Sequence, residues 1–369
     1  MNRIDEVNIK HQRLAALMAA KGYSAVLLKK QPNFSWFTGG GRNMVGIATE
    51  MGVTSLLVTR EDRYCIANKI EAARMMDEEG LADLGFKLLE HGWDEDKEAE
   101  LVGKVVGDLG SVAADTGFAS CKNADGEIKK LRYSLTENEI ERYMFLGEKL
   151  STVIEKVMLG IRPGDKECEV AGRVGADLWK ELIDPTAIMV ASDERIFQYR
   201  HPLATDKMVK RYVMVCINAR YKGLITTVTR MLHFGRPDAK LVQQFLDNNE
   251  VECRMIAATK PGAPAVDAFN AALAGYREFG VADEWRLHHQ GGSMGYYGRD
   301  YKVTAQTTET VAENQAFCWN PSITGTKTED GFIATNGGPL MITRPVIYPR
   351  IKSTVDGVDF VRPGMLVID

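Results

Sequence analysis

Two apolar runs flank a short polar break in the middle of the chain. Tyr212 to Ile217 is almost continuously apolar, Leu224 to Leu232 is rich in β-branched residues, and Tyr221-Lys222-Gly223 separates them. This pattern predicts two strands of about eight residues folded into a hairpin, with Gly223 supplying the backbone freedom of a tight reversal. His201, Asn218, Thr226, Thr227, Thr229 and Arg230 interrupt or flank this buried-looking stretch. Polar groups in such a setting are either paired or used, so the hairpin is the first place to look for a site.

The flanking sequence divides into two regimes. Residues 11–20 have a helical pattern that stops at Lys21-Gly22, and Ala25 to Lys29 reads as a short buried strand. Asn33 to Gly41 reads as an aromatic strand entering a glycine turn. Val53–Thr59 and Tyr64–Ala67 read as further strands, and Ile70–Met76 as helix. The alternation predicts a small α/β domain over residues 1–130, with the lysine-rich stretch Lys122–Lys130 as its linker. Beyond it, Thr136-Glu137-Asn138-Glu139 has the form of a capping box opening a long amphipathic helix to Leu159, and a Pro-Gly turn then leads into a helix to Leu182. That turn, Arg162-Pro163-Gly164, is echoed 98 residues later by Lys260-Pro261-Gly262, again between helices and again followed by strands. Residues 131–369 therefore read as two related α-β halves facing each other across a pseudo-two-fold, with a site at their junction and an α/β (α+β) class for the whole.

A length of 369 residues fits two domains, and 45% hydrophobic with 26% charged residues is ordinary for a globular chain. A formal charge of −4 argues against nucleic acid or an anionic membrane as the main partner. The N-terminus lacks the apolar core of a signal peptide, and no stretch reaches the length of a membrane span. Six cysteines lie scattered without CxxC spacing, which favours free thiols in a reducing cytoplasm.

The hairpin, with Leu287-His288-His289-Gln290-Gly291, Trp319-Asn320-Pro321 and Thr328-Glu329-Asp330, resembles the pita-bread hydrolases: prolidases, Xaa-Pro and methionine aminopeptidases, and creatinase. The N-terminal order Arg-Leu-x-x-Leu, Lys21-Gly22-Tyr23 and Phe37-Thr38-Gly39 is similar to the creatinase and prolidase N-terminal domain. In the metallopeptidases of this group Asp, Asp, His, Glu and Glu hold a metal pair. The resemblance places those positions on Asn218, Thr227, His288, Asn320 and Glu329, so that only His288 and Glu329 keep ligand character. Two ligands do not hold a dinuclear pair, so neither metal nor other cofactor is expected. Creatinase is the metal-free branch. It has a His 17 residues before an Asn, as His201 precedes Asn218, and a Tyr-Tyr-Gly-Arg motif, as in Tyr296-Tyr297-Gly298-Arg299.

The resemblance to creatinase assigns His201 as base, His288 as its assistant and Arg299 as the clamp for a substrate carboxylate. Glu329 or His288 would orient the water. Asn218, Thr227, Thr229, Asn320, His289 and Tyr297 would line the substrate. The glutamates that hold creatine's guanidinium fall on Thr229 and Asn320, both neutral, so creatine itself is a poor candidate. The expected function is metal-independent hydrolysis of a C–N bond in a small carboxylate-bearing compound or peptide. The alternatives are a silent binder of peptides or proteins and, third, a metallopeptidase with altered ligands. Arg230 is expected to brace the hairpin and His233 to be a satisfied core or edge histidine. The family resemblance also implies a homodimer, with Phe34–Arg42 making the crossing contact.

Overall fold

Asn2 opens the first helix, Arg3–Lys21 (α1), by accepting a hydrogen bond from Asp5 N at 2.9 Å, and Gly22 closes it in the left-handed conformation at φ 70°. The strand that follows, Ala25–Lys30 (β1), is buried on both faces over its first four residues, which is why its sequence is a run rather than an alternation. Gln31–Phe37 is a helix (α2), where the sequence reads as an aromatic strand. Pro32 sits at its start, where the missing N–H costs nothing, and its aromatic residues are all buried. Strands Met51–Val58 (β2), Arg63–Asn68 (β3) and Phe86–His91 (β4), helix Glu98–Val106 (α3), and strands Val112–Ala114 (β5) and Lys122–Asn123 (β6) complete a sheet of order β4-β3-β2-β1-β5-β6. The expected linker is also ordered: its first residues pair with β5 and the rest form helix Asp125–Lys130 (α4).

The computed structural model describes residues 1–369 and gathers into two units, Met1–Ile140 with Lys222–Leu224, and Glu141–Tyr221 with Ile225–Asp369. The long helix Glu137–Leu159 (α5) starts at the expected capping box: Glu139 Oε2 accepts from Thr136 N at 2.8 Å, and Thr136 Oγ1 accepts from Glu139 N at 3.4 Å. Helix Glu167–Lys180 (α6), strand Asp184–Ser192 (β7), short helix Glu194–Gln198 (α7) and the hairpin Tyr212–Tyr221 (β8) and Leu224–Phe234 (β9) form the first half of the second unit. Lys222 and Gly223 make the reversal, both with positive φ (48° and 86°). The second half repeats the order: helices Ala239–Ala258 (α8) and Val266–Glu278 (α9), then strands Gly291–Ser293 (β10), Tyr301–Lys302 (β11), Gln315–Trp319 (β12), Ser322–Ile323 (β13), Thr326–Lys327 (β14) and Asp330–Thr335 (β15). Gly338–Met341 (β16), the hairpin Arg350–Val355 (β17) and Val358–Pro363 (β18), and Leu366–Ile368 (β19) end the chain.

The sheet order β11-β10-β12-β15-β9-β8-β7 sets β10-β12-β15 against β9-β8-β7, as a pseudo-two-fold requires. The halves meet where Val228 of β9 pairs with Asp330 of β15. Five fully or almost fully buried charged residues surround that joint. Arg230 reaches Glu155 at 3.0 Å and Asp330 at 3.1 Å, while Arg362 reaches Glu252 at 2.5 Å and Asp330 at 3.1 Å. Glu155 also accepts from the backbone N–H groups of Val346, Ile347 and Tyr348. Arg230 thus braces the hairpin as expected, and His233 lies largely buried with Nδ1 2.8 Å from Gly235 O. No helix is long and apolar enough to cross a membrane.

Gly147, inside α5, marks the tightest helix contact in this unit, since a Cβ there would lie 1.9 Å from Ile342 O. Alanine would gain about 1 kcal/mol of helix propensity, but an overlap of this size with a main-chain oxygen outweighs it. Gly147→Ala is expected to lower stability by about 1–3 kcal/mol net in denaturant unfolding; a neutral or stabilised variant would contradict this packing.

Candidate active site

Glu329 lies between β14 and β15 and is 3% exposed. Its Oε2 accepts from Thr229 Oγ1 at 2.8 Å and from Cys216 Sγ at 3.0 Å, and Lys327 Nζ stands 3.2 Å away. Its Oε1 faces Arg299 Nη2 at 3.4 Å. Burial alone would raise this carboxyl, but Lys327, Arg299 and the two hydrogen bonds more than reverse that and hold it well below the usual carboxylate range. The β8 residue that touches Glu329 is Cys216, not Asn218. The side chain of Asn218 makes no hydrogen bond to this cluster, and its main-chain oxygen accepts from Thr186. Thr227 and Thr229 were expected to face a ligand. Instead Thr227 Oγ1 lies 2.6 Å from Cys318 Sγ and Thr229 holds Glu329. Both thiols are buried and neutral, Cys216 being pushed up to about 12 by burial and the Glu329 charge.

His288 and His289 follow a single 3-10 turn, Glu284–Leu287, and precede β10. Gly291 has φ 104°, and a Cβ there would lie 2.3 Å from Cys318 O, so only glycine lets β10 come this close to β12. His288 Nε2 is 3.0 Å from His201 Nε2, which means that one proton is shared along this contact, and His288 Nδ1 is buried with no hydrogen-bond partner. His289 stacks on His288 with ring centroids 4.5 Å apart. Burial first, then Lys327, push His288 down to about 2; burial, then Arg299 and Lys302, push His289 down to about 3. His201, on an exposed turn, is lowered by the same kinds of cause, burial and then Lys327, against an upward pull from Glu329. All three imidazoles are therefore neutral at pH 7, and an added proton goes to His201 first.

Arg299 donates to Gly298 O at 2.6 Å, and its buried Nε has no partner. Asn320 is 2% exposed with Oδ1 likewise unpartnered. Tyr297 is half-buried in the same turn as Arg299, its carbonyl accepting from Gly295 N at 3.0 Å. Of the residues singled out from sequence, the structure brings His201, His288 and His289 together and sets Arg299 against Glu329; Cys216, Cys318 and Lys327 adjoin them and were not singled out. Lys327 had a usable signal: it stands two residues before Glu329, the spacing that puts two strand residues on one face.

Residues 145–344 match the metallopeptidase family M24, and residues 10–137 match the creatinase/prolidase N-terminal domain. The chain belongs to family M24. An Xaa-Pro dipeptidase of Pyrococcus horikoshii is 24% identical over 366 residues, covering 92% of this chain and 98% of the relative. Among solved structures, an Xaa-Pro dipeptidase from Bacillus anthracis superposes with a TM-score of 0.77 at 21% identity, covering 98% of this chain and all of the other. The N-terminal domain of the FACT complex subunit SPT16 from chickpea superposes with a TM-score of 0.68 at 12% identity, covering 92% and 97% of the two chains. The pita-bread architecture with a creatinase-type N-terminal domain is thus shared by chains named as peptidases and by one named as a subunit of a complex.

The M24 metal pair does not fit the residues present. Of the carboxylates expected at its ligand positions only Glu329 remains, and that group already faces two cations, Lys327 and Arg299. One other group has metal-binding geometry: the ligand atoms of His201, His288 and His289 all lie within 4.8 Å of one another. Gly291 N points to His289 Nδ1 at 3.3 Å, which sets that atom as an acceptor and leaves the proton on Nε2. A concavity of about 630 Å³ lies elsewhere, along β16 and the β17–β18 hairpin. It holds no histidine and no nucleophile, so size does not locate the chemistry here.

The neutral, buried His288 has a consequence for stability. Below about pH 6.5 the unfolded chain takes up a proton that the folded chain refuses until about pH 2, so stability falls as pH falls through this window. Its slope per histidine reaches at most about 1.4 kcal/mol per pH unit. His288→Gln is expected to flatten the dependence of unfolding free energy on pH between about 6 and 4; an unchanged slope would show that the proton uptake lies elsewhere.

Proposed function

We propose that this member of family M24 hydrolyses a C–N bond in a small compound or peptide carrying a carboxylate, and that it does so without the metal pair. The observation that carries this reading is the 3.0 Å contact between His201 Nε2 and His288 Nε2, set beside a guanidinium with an unpartnered edge. His201, more exposed and less depressed than its neighbours, would be the base that takes a proton from water. His288, held neutral, would accept from the His201 Nε2–H along the shared contact, which fixes the tautomer of His201 and leaves its Nδ1 lone pair free for the proton from water. Arg299 would grip the carboxylate through its free Nε edge, and Glu329 would hold that guanidinium in place from the other side. Asn320 would offer its amide to the reacting end.

The charges also choose the substrate. Lys327, Arg299 and Lys302 outnumber Glu329 around the histidines. A guanidinium such as creatine would meet like charge, whereas an amide, ureido or lactam group with one carboxylate would not. A reducing cytoplasm suits the six free thiols. The homodimer also belongs to this proposal, but Phe34–Gly41, expected at its crossing contact, are buried within the chain itself and offer no surface for one; a monomer in sedimentation at micromolar concentration would refute the dimer.

A second reading is favoured by the three clustered imidazoles, which could hold one divalent ion and make the chain an altered metallopeptidase. A third is a silent binder of peptides in the same site.

The test is turnover of N-acyl and cyclic amino-acid derivatives, with creatine and Xaa-Pro dipeptides as controls. Activity is expected to survive chelators, to be lost by a factor of about 100 or more in His201→Ala, and to rise with pH on a limb centred below 6.5, because the His201 ionisation is lowered from that value. Hydrolysis surviving His201→Ala would break the mechanism. Loss of activity on chelation, restored by zinc and abolished in His289→Ala, would support the second reading, and tight peptide binding without turnover the third.

A further inference from the structure

Lys327 is a buried lysine that the catalytic reading does not use. It lies on β14, pinned by pairing with Ser322 of β13, and is 3% exposed. Its ammonium stands 3.2 Å from Glu329 Oε2 and donates to Cys216 Sγ at 3.3 Å. Burying an ammonium is unfavourable by several kcal/mol unless an opposite charge and hydrogen bonds compensate it. Here the compensation is the one carboxylate left in the ligand set.

Charge explains why the two occur together. Four carboxylates stand opposite two divalent ions in the metallopeptidase set, whereas here one carboxylate already faces an ammonium and the Arg299 guanidinium. Cys216, Thr227 and Asn320 add no negative charge around Glu329, and a site with so few carboxylates would leave a divalent ion uncompensated. We propose that Lys327 is the resident cation of this site: it stands where the family's metal charge would act on Glu329, and it excludes divalent ions from the pocket. An ammonium has three N–H bonds. Glu329 and Cys216 take two, and Lys327 and His288 line a common void of about 10 Å³, room for a single water. This deepens the metal-free reading of the same site, but exclusion of metal by Lys327 is tested apart from turnover.

The experiment restores the carboxylates in two backgrounds. Cys216→Asp/Thr227→Asp/Asn320→Glu is compared with the same triple carrying Lys327→Met, using calorimetric titration with Mn²⁺, Co²⁺ and Zn²⁺. The variant without Lys327 is expected to bind at least about 100-fold more tightly, since a unit charge within about 4 Å acts directly on a bound ion. Equal affinity in the two backgrounds would overturn the proposal, as would one tight equivalent of metal in the wild-type protein that His289→Ala leaves in place. Should the restored variants not fold, a thermal double-mutant cycle decides. Lys327→Met and Glu329→Gln should each lower Tm strongly, and the double variant should recover part of that loss. Strictly additive losses would sink the assignment. Absence of turnover on every substrate would remove the hydrolase reading while leaving these results to stand or fall on their own.

Discussion

The second unit depends on a buried carboxylate, Asp330, shared by two arginines. It sits where β9 and β15 meet, and Arg230 and Arg362 converge on it from separate parts of the chain. Replacing such a network with hydrocarbon need not weaken a protein, but removing one member strands the others in a dry interior, at a cost of about 3–5 kcal/mol. The arrangement therefore tolerates no partial loss. It also fixes the neighbouring residue, because Glu329 precedes Asp330 and its main-chain oxygen accepts from Thr229 N at 3.0 Å. The position of the functional carboxylate is inherited from the joint.

Two charge systems thus lie side by side with different tasks. The outer one, from Glu155 to Glu252, ties helices α5 and α8 and the C-terminal strands to the sheet joint. The inner one, Glu329 with Lys327 and Arg299, sets the electrostatics around three imidazoles. Only the inner set departs from what the resemblance to the metallopeptidases implies. The fold is that of family M24, tied together here by the outer network and the repeated α-β halves, while the chemistry is free to differ with a few side chains.

Much of this was legible in the sequence. The hairpin could be read because period and β-branching are local properties, and the capping box at Thr136 because its partners are three residues apart. Asn33–Gly41 reads as a strand because aromatic residues favour strands, whereas helix Gln31–Phe37 occupies most of it, with Pro32 at a position suited to a helix start. The β8 contact to Glu329 comes from Cys216 and not from Asn218, which alternation could not reveal. A shift of two residues along a strand keeps the same face, and only the contact with Glu329 separates them. Lys327 was overlooked because a lysine between threonines and beside a glycine turn reads as a solvated charge. Its burial comes from β13 and β8, which are distant in sequence.

The spread of the buried network along the chain bears on how the protein is made. Glu155 comes early in the second unit, Asp330 near its end, and Arg362 within the last few residues. On a ribosome, Glu155 meets its counter-charge as soon as Arg230 emerges, whereas Glu252 has none until Arg362, 110 residues later, has followed. Contacts this remote in sequence are slow to form, and ionised groups stay hydrated rather than enter a core that lacks their partners. The N-terminal unit, whose sheet closes within the first 130 residues, carries no such delay. The chain should therefore acquire its two units in sequence, with the histidine cluster assembled only after the strands that carry Asp330 and Arg362 have emerged.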